Sequence, residues 1–366
     1  MDPTASEDPG RMLARFMSRL THDSDDECIT SIRCNGRAFH IHMSPSYFRD
    51  SPTTEARYRK FLEAVRDECE EDPEEVESVF YEWLIEVFQP IFSRLAPEAL
   101  PSFDPAKIRA GEAKPLLSEY LFPETFGCKL EAVNDTLVPL HTDDSGGLMP
   151  PGAWVDEDLL DDLDTWAKSF DPSAIEVFFE DADHALYRMP TRVLVNLDGS
   201  NRKTACFFKE FGCGEGRLME KELEKYLEMH KSKLAQDTRV IRLEGIVKGG
   251  NGSVMGLLLT YVDHSGHGLL AYSLNDDTPL HVKERWARQV RETVGELHEA
   301  GIIWGDAKAG NVMIDRNENA WIVDFGGGYT LGWVDEDKAG TVEGDIQGVE
   351  RIVEYIFNED WARNGR

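Results

Sequence analysis

Asp306, Lys308 and Asn311 fall close together in the run Trp304-Gly305-Asp306-Ala307-Lys308-Ala309-Gly310-Asn311, and Asp324-Phe325-Gly326 begins thirteen residues after the asparagine. A carboxylate, a cation, an amide oxygen and a second carboxylate at these intervals suit the transfer of a phosphoryl group to a hydroxyl. Asp306 would stand near the attacking hydroxyl, and Lys308 would lie against the charge of the moving phosphoryl group. Asn311 and Asp324 carry the hard oxygen atoms that magnesium takes as ligands. Any one of them alone is an ordinary loop residue. The set together is what points to chemistry.

Such residues need rigid elements on both sides. Val282, Trp286, Val290, Val294 and Leu297 repeat at helical spacing, so an amphipathic helix leads into the polar loop. Short apolar runs around Val312-Met313-Ile314 and Trp321-Ile322-Val323 predict two strands between the loop and Asp324. Upstream, strands are expected near 175–179, 191–197 and 204–211, then a helix, then the strand Val254 to Val262. Several strands, a helix, further strands and a longer helix form the order of an α+β small lobe followed by a helical one. Lys209 lies among apolar residues in Ala205 to Phe211. A lone strand lysine is ordinarily an exposed edge charge.

These motifs resemble the protein kinase-like superfamily, and more closely a group of fungal kinase-domain proteins of undefined substrate. The run DFGGGYTLGWVDEDKAGTVEGDIQGVERIVEYI looks like that group's C-terminal signature, and the resemblance covers roughly residues 170–366. It implies a protein-kinase-like two-lobe fold, α+β in class, with an N-lobe at 171–262 and a truncated C-lobe at 263–366. It implies ATP and Mg2+ as cofactors, and transfer of the γ-phosphoryl group to a hydroxyl of a protein or small molecule. Lys209 would clasp the α- and β-phosphates, paired with a helix glutamate. Glu222 is the choice because Leu223, Tyr226 and Leu227 would face the core beside it; Glu220 is the alternative. Thr260 would take the gatekeeper place, with Tyr261 and Val262 offering backbone groups to adenine. Asp345 would match the buried aspartate that holds the catalytic-loop backbone, with Gly348 three residues on.

Four features depart from the protein-kinase pattern. Trp304-Gly305 replaces the usual His-Arg before the aspartate, and Gly-Asp is reminiscent of small-molecule kinases. Where a glycine-rich phosphate loop belongs, the chain reads Phe179-Glu180-Asp181-Ala182-Asp183-His184, with three carboxylates that repel phosphate. Phe207 stands two residues before Lys209, where a small alanine is usual. Twenty-one residues separate Asp324 from Asp345 with no Ala-Pro-Glu between them. Thr330 and Thr341 are the aliphatic hydroxyls of that interval, so regulation by loop phosphorylation is not expected. These departures support an alternative reading, a pseudokinase that serves as a nucleotide- or protein-binding module.

The region before 170 is legible only through pattern. Residues 1–27 are polar and acidic and read as a disordered tail. Asn35-Gly36 between CITSIRC and RAFHIHM predicts a hairpin pairing Ile32 with Phe39, with His40 and His42 on its exposed face. Tyr58, Phe61, Leu62, Val65 and Cys69 repeat as a helix. A second helix starts after Asp72-Pro73 and carries Val76, Val79, Phe80, Trp83, Leu84, Val87 and Phe88, with Pro90 expected to kink or end it. Residues 97–172 read as connecting structure with a short helix at Leu159 to Trp166. The expectation is that 28–170 packs on the kinase core as one unit.

Among 366 residues, 69 are acidic and 39 basic, a formal net charge of −30. That excess disfavours binding to phosphate backbones, so no nucleic-acid partner is expected. No apolar run is long enough to span a bilayer, and the N-terminus lacks the apolar core of a signal peptide. The six cysteines show no paired zinc spacing. The expected address is intracellular, cytoplasm or nucleus.

Overall fold

Asn35 and Gly36 both take left-handed backbone, with φ of 51° and 83°, which is the geometry a two-residue hairpin turn of matching twist demands. The turn sets Ile32 opposite Phe39 and Ser31 opposite His40. The protein, seen here in a computed structural model, is described over residues 14–22, 26–66, 72–143, 151–200, 202–212, 214–264, 267–275 and 277–358. Cys69 and Cys213 lie outside the described residues. The chain is a mixed α+β protein with several sheets, and it divides into two units. One comprises residues 1–150 with 172–190, the other 151–171 with 191–366.

In the first unit, strands β1 (Ala14–His22), β2 (Glu27–Cys34), β3 (Arg37–Met43) and β4 (Phe48–Arg49) precede helices α1 (Pro52–Val65), α2 (Pro73–Leu95), α3 (Pro105–Ala110) and α4 (Leu117–Leu121). The hairpin β5 (Thr125–Val133) and β6 (Thr136–Thr142) follows. The sheet runs β1-β2-β3-β5-β4, with β6 on β5. Ile32, Phe39, Ile41 and Met43 are buried in one cluster with Tyr58, Phe61, Leu62, Phe80, Leu84 and Phe88. The sheet's apolar face and the stripes of α1 and α2 are therefore one core. Phe61 and Phe80 stack with centroids 4.1 Å apart.

Three expectations for this region are corrected. Ala14–His22 is a strand paired antiparallel with β2, so the tail reading does not hold there. Residues 125–142 form a hairpin joined to β3 by parallel pairing, not connecting structure; Asn134 and Asp135, with φ of 49° and 57°, make its turn. Of the two outcomes expected at Pro90, an end to the helix does not hold, since α2 continues to Leu95.

His40 departs too, since it is buried, with Nδ1 3.0 Å from Ser31 Oγ. Burial first, and the charge of His42 second, push its imidazole down from 6.5 to about 4. The folded state thus binds fewer protons than the unfolded one between these values, so stability falls as pH drops through that window. The loss should approach about 3 kcal/mol. Urea unfolding at pH 7 and pH 4.5 is expected to show a smaller acid loss in His40→Gln than in the native chain. Equal losses would place the acid sensitivity elsewhere.

The second unit contains α5 (Glu157–Asp164) and β7 (Ser169–Phe170), and the short β8 (Glu176–Val177) between them and the next strand belongs to the first unit. Then come β9 (Arg192–Val195), β10 (Thr204–Glu210), α6 (Gly216–Lys231), β11 (Leu243–Lys248) and β12 (Val254–Thr260). After them lie α7 (Leu270–Ser273), α8 (Leu280–Glu299), the hairpin β13 (Val312–Ile314) and β14 (Ala320–Ile322), and α9 (Val342–Phe357). The larger sheet of this unit has the order β7-β11-β12-β10-β9. Val282, Trp286, Val290, Val294 and Leu297 of α8 are all buried, in one cluster with Leu223 of α6, Leu257 and Leu259 of β12, Phe325, and Ile352 of α9. Among the described residues, no helix is long and apolar enough to cross a membrane.

Candidate active site

Lys209 is the second-last residue of β10 and pairs with Leu257 of β12. Its Nζ lies 2.7 Å from Glu222 Oε2 and 3.0 Å from Asp324 Oδ1. Glu222 is the partner because its position on α6 puts it between Met219 and Leu223, both buried, and it is itself 1% exposed. The Tyr226 hydroxyl donates to its other oxygen at 3.0 Å. The alternative, Glu220, accepts instead from the backbone N–H of Asp156. Burial raises the Glu222 carboxyl, against the pull of the Lys209 charge. Burial likewise opposes the Lys209 ammonium, but the two carboxylates outweigh it and hold the lysine above its ordinary value. We take Lys209 as charged, because two carboxylates within 3.0 Å stabilise a single ammonium.

The polar loop is fixed from several sides. Trp304 is fully buried, and its indole N–H reaches the carbonyl oxygens of Val323 and Asp324 at 3.1 and 3.2 Å. The β13–β14 hairpin joins the loop to Asp324: Val312 pairs with Ile322, and the Val323 N–H donates to the Asn311 carbonyl. Asp324 takes left-handed backbone, φ 60°. From α9, Asp345 accepts the backbone N–H of Trp304 and of Gly305, both at 2.8 Å, and lies 2.9 Å from His298 Nε2. Gly348, one turn on, lies so close that an added Cβ would come within 2.5 Å of both Ala307 Cβ and its carbonyl oxygen. Asp345→Ala would leave two loop N–H groups without an acceptor, and should lower stability by roughly 2 to 5 kcal/mol. Thermal unfolding of the purified variant checks this, and an unchanged midpoint would remove Asp345 as the loop's anchor.

Within the loop, Asp306 is almost buried and both its oxygens are engaged. Lys308 Nζ lies 2.7 Å from Oδ2, and Asn311 Nδ2 donates to the same oxygen at 3.0 Å and to the Asp306 carbonyl at 2.9 Å. The Thr330 hydroxyl donates to Oδ1 at 3.1 Å and accepts from Lys308 Nζ at 2.9 Å. Asn311 has no other side-chain partner among the described residues, which leaves its amide oxygen open. Among the described residues Asp324 engages only Oδ1, with Lys209 and more distantly the Gly326 N–H. Two hard oxygens from Asn311 and Asp324 fit magnesium, which takes one or two protein ligands and completes its shell with water and phosphate oxygens. No cluster of three His, Cys, Asp or Glu side chains suited to a metal forms among the described residues.

The structure therefore brings Lys209, Glu222 and Asp324 together as one group, and Asp306, Lys308 and Asn311 as another, joined by the hairpin. Thr260 is different. It pairs with Cys206, while Lys209 pairs with Leu257 and Phe207 with Leu259. Paired residues share a face, so Thr260 points away from Lys209. Its hydroxyl accepts from the Arg242 N–H and lies 3.0 Å from Glu244. Its neighbour Leu259, opposite Phe207, is the residue that shares the Lys209 face, whereas Thr260 does not. Tyr261 lies under the Arg192 guanidinium, 4.6 Å from the ring centroid, and Val262 is buried with Leu259. Phe207 shares the Lys209 face and packs partly buried against the same cluster.

Phe179 to His184 falls in the first unit, where Asp181 caps a short turn by accepting from the Asp183 N–H and Asp183 pairs with Arg109. Asp335 is likewise engaged, by Lys338, Gln347 and Arg351, which hold its carboxyl well below the usual range. The sequence reading missed His298 altogether and saw Thr330 only as a loop hydroxyl. Nothing in the spacing of either marks its partner.

No known family's model matches the chain. Over 61 residues it is 39% identical to the serine/threonine-protein kinase PKH3 of Eremothecium gossypii, a stretch covering 16% of this chain and 8% of that protein. Over 96 residues it is 32% identical to the serine/threonine-protein kinase grp of Drosophila melanogaster, covering 26% of this chain and 18% of that protein. The chain is similar in part to serine/threonine kinases. The similarity thus spans less than a fifth of either relative's length, and it suggests a kinase-like relationship.

Proposed function

We propose that the chain is an ATP- and magnesium-dependent phosphotransferase of the protein-kinase-like two-lobe fold, acting on a hydroxyl of a protein or small molecule. The observation that carries this is the bridge of Lys209 between a buried Glu222 and Asp324. It holds a cation and a metal-binding carboxylate in one place, beside a loop that presents Asp306 and Lys308. Lys209 binds and orients the nucleotide's phosphates, and Glu222 keeps its ammonium aimed. Asp306 positions the acceptor hydroxyl and takes its proton. Lys308 faces the transferred group's charge. Magnesium, when bound at Asn311 and Asp324, neutralises charge on the phosphate oxygens. ATP and the acceptor are the partners this reading requires.

A second reading, a binding module without efficient transfer, draws on Phe207. The ring shares the face of Lys209 where adenine would approach, and its bulk narrows that space. Calorimetry separates the two readings at the metal. ATP should bind with a magnesium dependence that Asp324→Ala abolishes, while the variant keeps its melting temperature. Identical metal dependence in the variant would contradict the proposed site and favour the binding module.

A further inference from the structure

A cavity of about 250 Å³ is lined by the C-terminal half of α6, the loop after it, the start of β11, and Trp166. A cavity of about 150 Å³ already admits a benzene ring, so two fused rings fit here. Tyr226, Leu234 and Leu243 are buried residues of its wall. The Tyr226 hydroxyl is engaged by Glu222, so Tyr226 offers the cavity its ring. His230 stacks on Trp166 with centroids 4.0 Å apart and planes 6° from parallel, which fixes the plane of the indole. These walls suit a flat apolar body. Two polar groups among them lack partners. The Trp166 indole N–H is buried and has no hydrogen-bond acceptor among the described residues. Arg242 donates to the Ala235 carbonyl, yet it forms no ion pair among the described residues, in a chain with 69 acidic residues against 39 basic ones. Burial opposes its charge, with the nearby Glu244 pulling the other way. A guanidinium drawn partly out of water without a carboxylate is a receptor for one.

We propose that this cavity binds a small aromatic monocarboxylate. Arg242 and the Trp166 N–H hold the carboxylate, and the ring lies among Tyr226, Leu234 and Leu243. None of these is a residue placed in phosphoryl transfer, so the site stands apart from that reading. The guanidinium supplies paired donors that match the two oxygens of a carboxylate. The indole N–H gains the acceptor that its burial otherwise denies it. Glu244 selects among anions. It is on the same wall, with Oε1 3.0 Å from the Thr260 hydroxyl that donates to it. With that carboxylate beside it, a single guanidinium tolerates one further negative charge better than two. A phosphate monoester carries about 1.5 to 2 charges near neutral pH, and the chain's net charge of −30 adds to its repulsion.

The test uses the full chain with nitrogen-labelled tryptophan, titrated with 2-naphthoate and followed through its indole N–H resonances. The chain has eight tryptophans, and the Trp166 resonance is the one missing from Trp166→Phe. The expected result is a saturable downfield shift of that resonance as its N–H gains an acceptor. 2-Naphthamide, which keeps the shape without the charge, and 2-naphthyl phosphate should each bind about tenfold more weakly or worse. Arg242→Gln should weaken 2-naphthoate by a similar factor while keeping the native melting temperature. A Trp166 resonance that stays in place up to the solubility limit of 2-naphthoate would overturn the site. Equal affinity for the amide, a comparison that needs no variant, would overturn the carboxylate assignment, as would native affinity in a folded Arg242→Gln chain. Tighter binding of the phosphate would overturn the preference for a single charge.

Discussion

Asp306→Asn is expected to leave MgATP binding intact and to slow phosphoryl transfer about 10²- to 10⁴-fold, the usual contribution of a positioned general base. The amide fills the same volume, and with its oxygen toward Asn311 and Lys308 its NH2 can donate to the Thr330 hydroxyl, so the loop should keep its shape. What it cannot do is take a proton or answer the charge of Lys308, which is far enough from full burial, at 27% exposed, to be solvated instead. The comparison to make is ADP formed in a single turnover at saturating MgATP. Equal rates in variant and native chain would remove Asp306 from the chemistry, and loss of nucleotide binding would mark it as structural.

Lys209→Met should have the largest effect on stability. Glu222 is 1% exposed, and Lys209 is the cation beside it. Removing that cation leaves a carboxyl in a dry environment, at a cost of about 3 to 5 kcal/mol when a buried pair is broken from one side. The sign of the pH response identifies the mechanism. Without Lys209, the folded state holds the Glu222 proton above the ordinary carboxyl value of 4.5, while the unfolded state releases it there. The folded state then binds more protons, so the variant's stability should fall as pH rises above that value. Urea unfolding across pH 4 to 7 reads this directly. The double variant Lys209→Met with Glu222→Leu should recover most of the loss, because replacing both partners removes the unpaired charge. Without recovery, the defect lies in packing and the ion pair is not the cause.

Much of the site was readable because its residues sit close in sequence or on elements of clear period. Asp306, Lys308 and Asn311 share one loop, and the spacing of Glu222 against Leu223 and Tyr226 singled out the glutamate that lies against Lys209. Errors arose where a single residue decides a face. Thr260 and Leu259 are adjacent at the end of a largely apolar strand, and only the register against β10 tells which one shares the face of Lys209. The hairpin at 125–142 was obscured by its composition: Gly127, Pro139 and the polar turn at Asn134-Asp135 argue locally for loop, while parallel pairing with β3 is a long-range contact no local pattern records. His40 was placed outside because alternation along β3 predicts one buried face, whereas this strand is buried on both. The Asp345 interactions span more than forty residues back to His298 and Trp304, and were reachable only through the family resemblance. For Thr330 neither route sufficed.

The most direct measurement is the fate of ATP on the purified full chain when magnesium is added. The account predicts that bound ATP is converted to ADP, with its γ-phosphoryl group recovered on a hydroxyl oxygen, and that chelating the metal stops the conversion. ATP that stays bound and intact with magnesium present would contradict phosphoryl transfer and leave a nucleotide-binding module in its place.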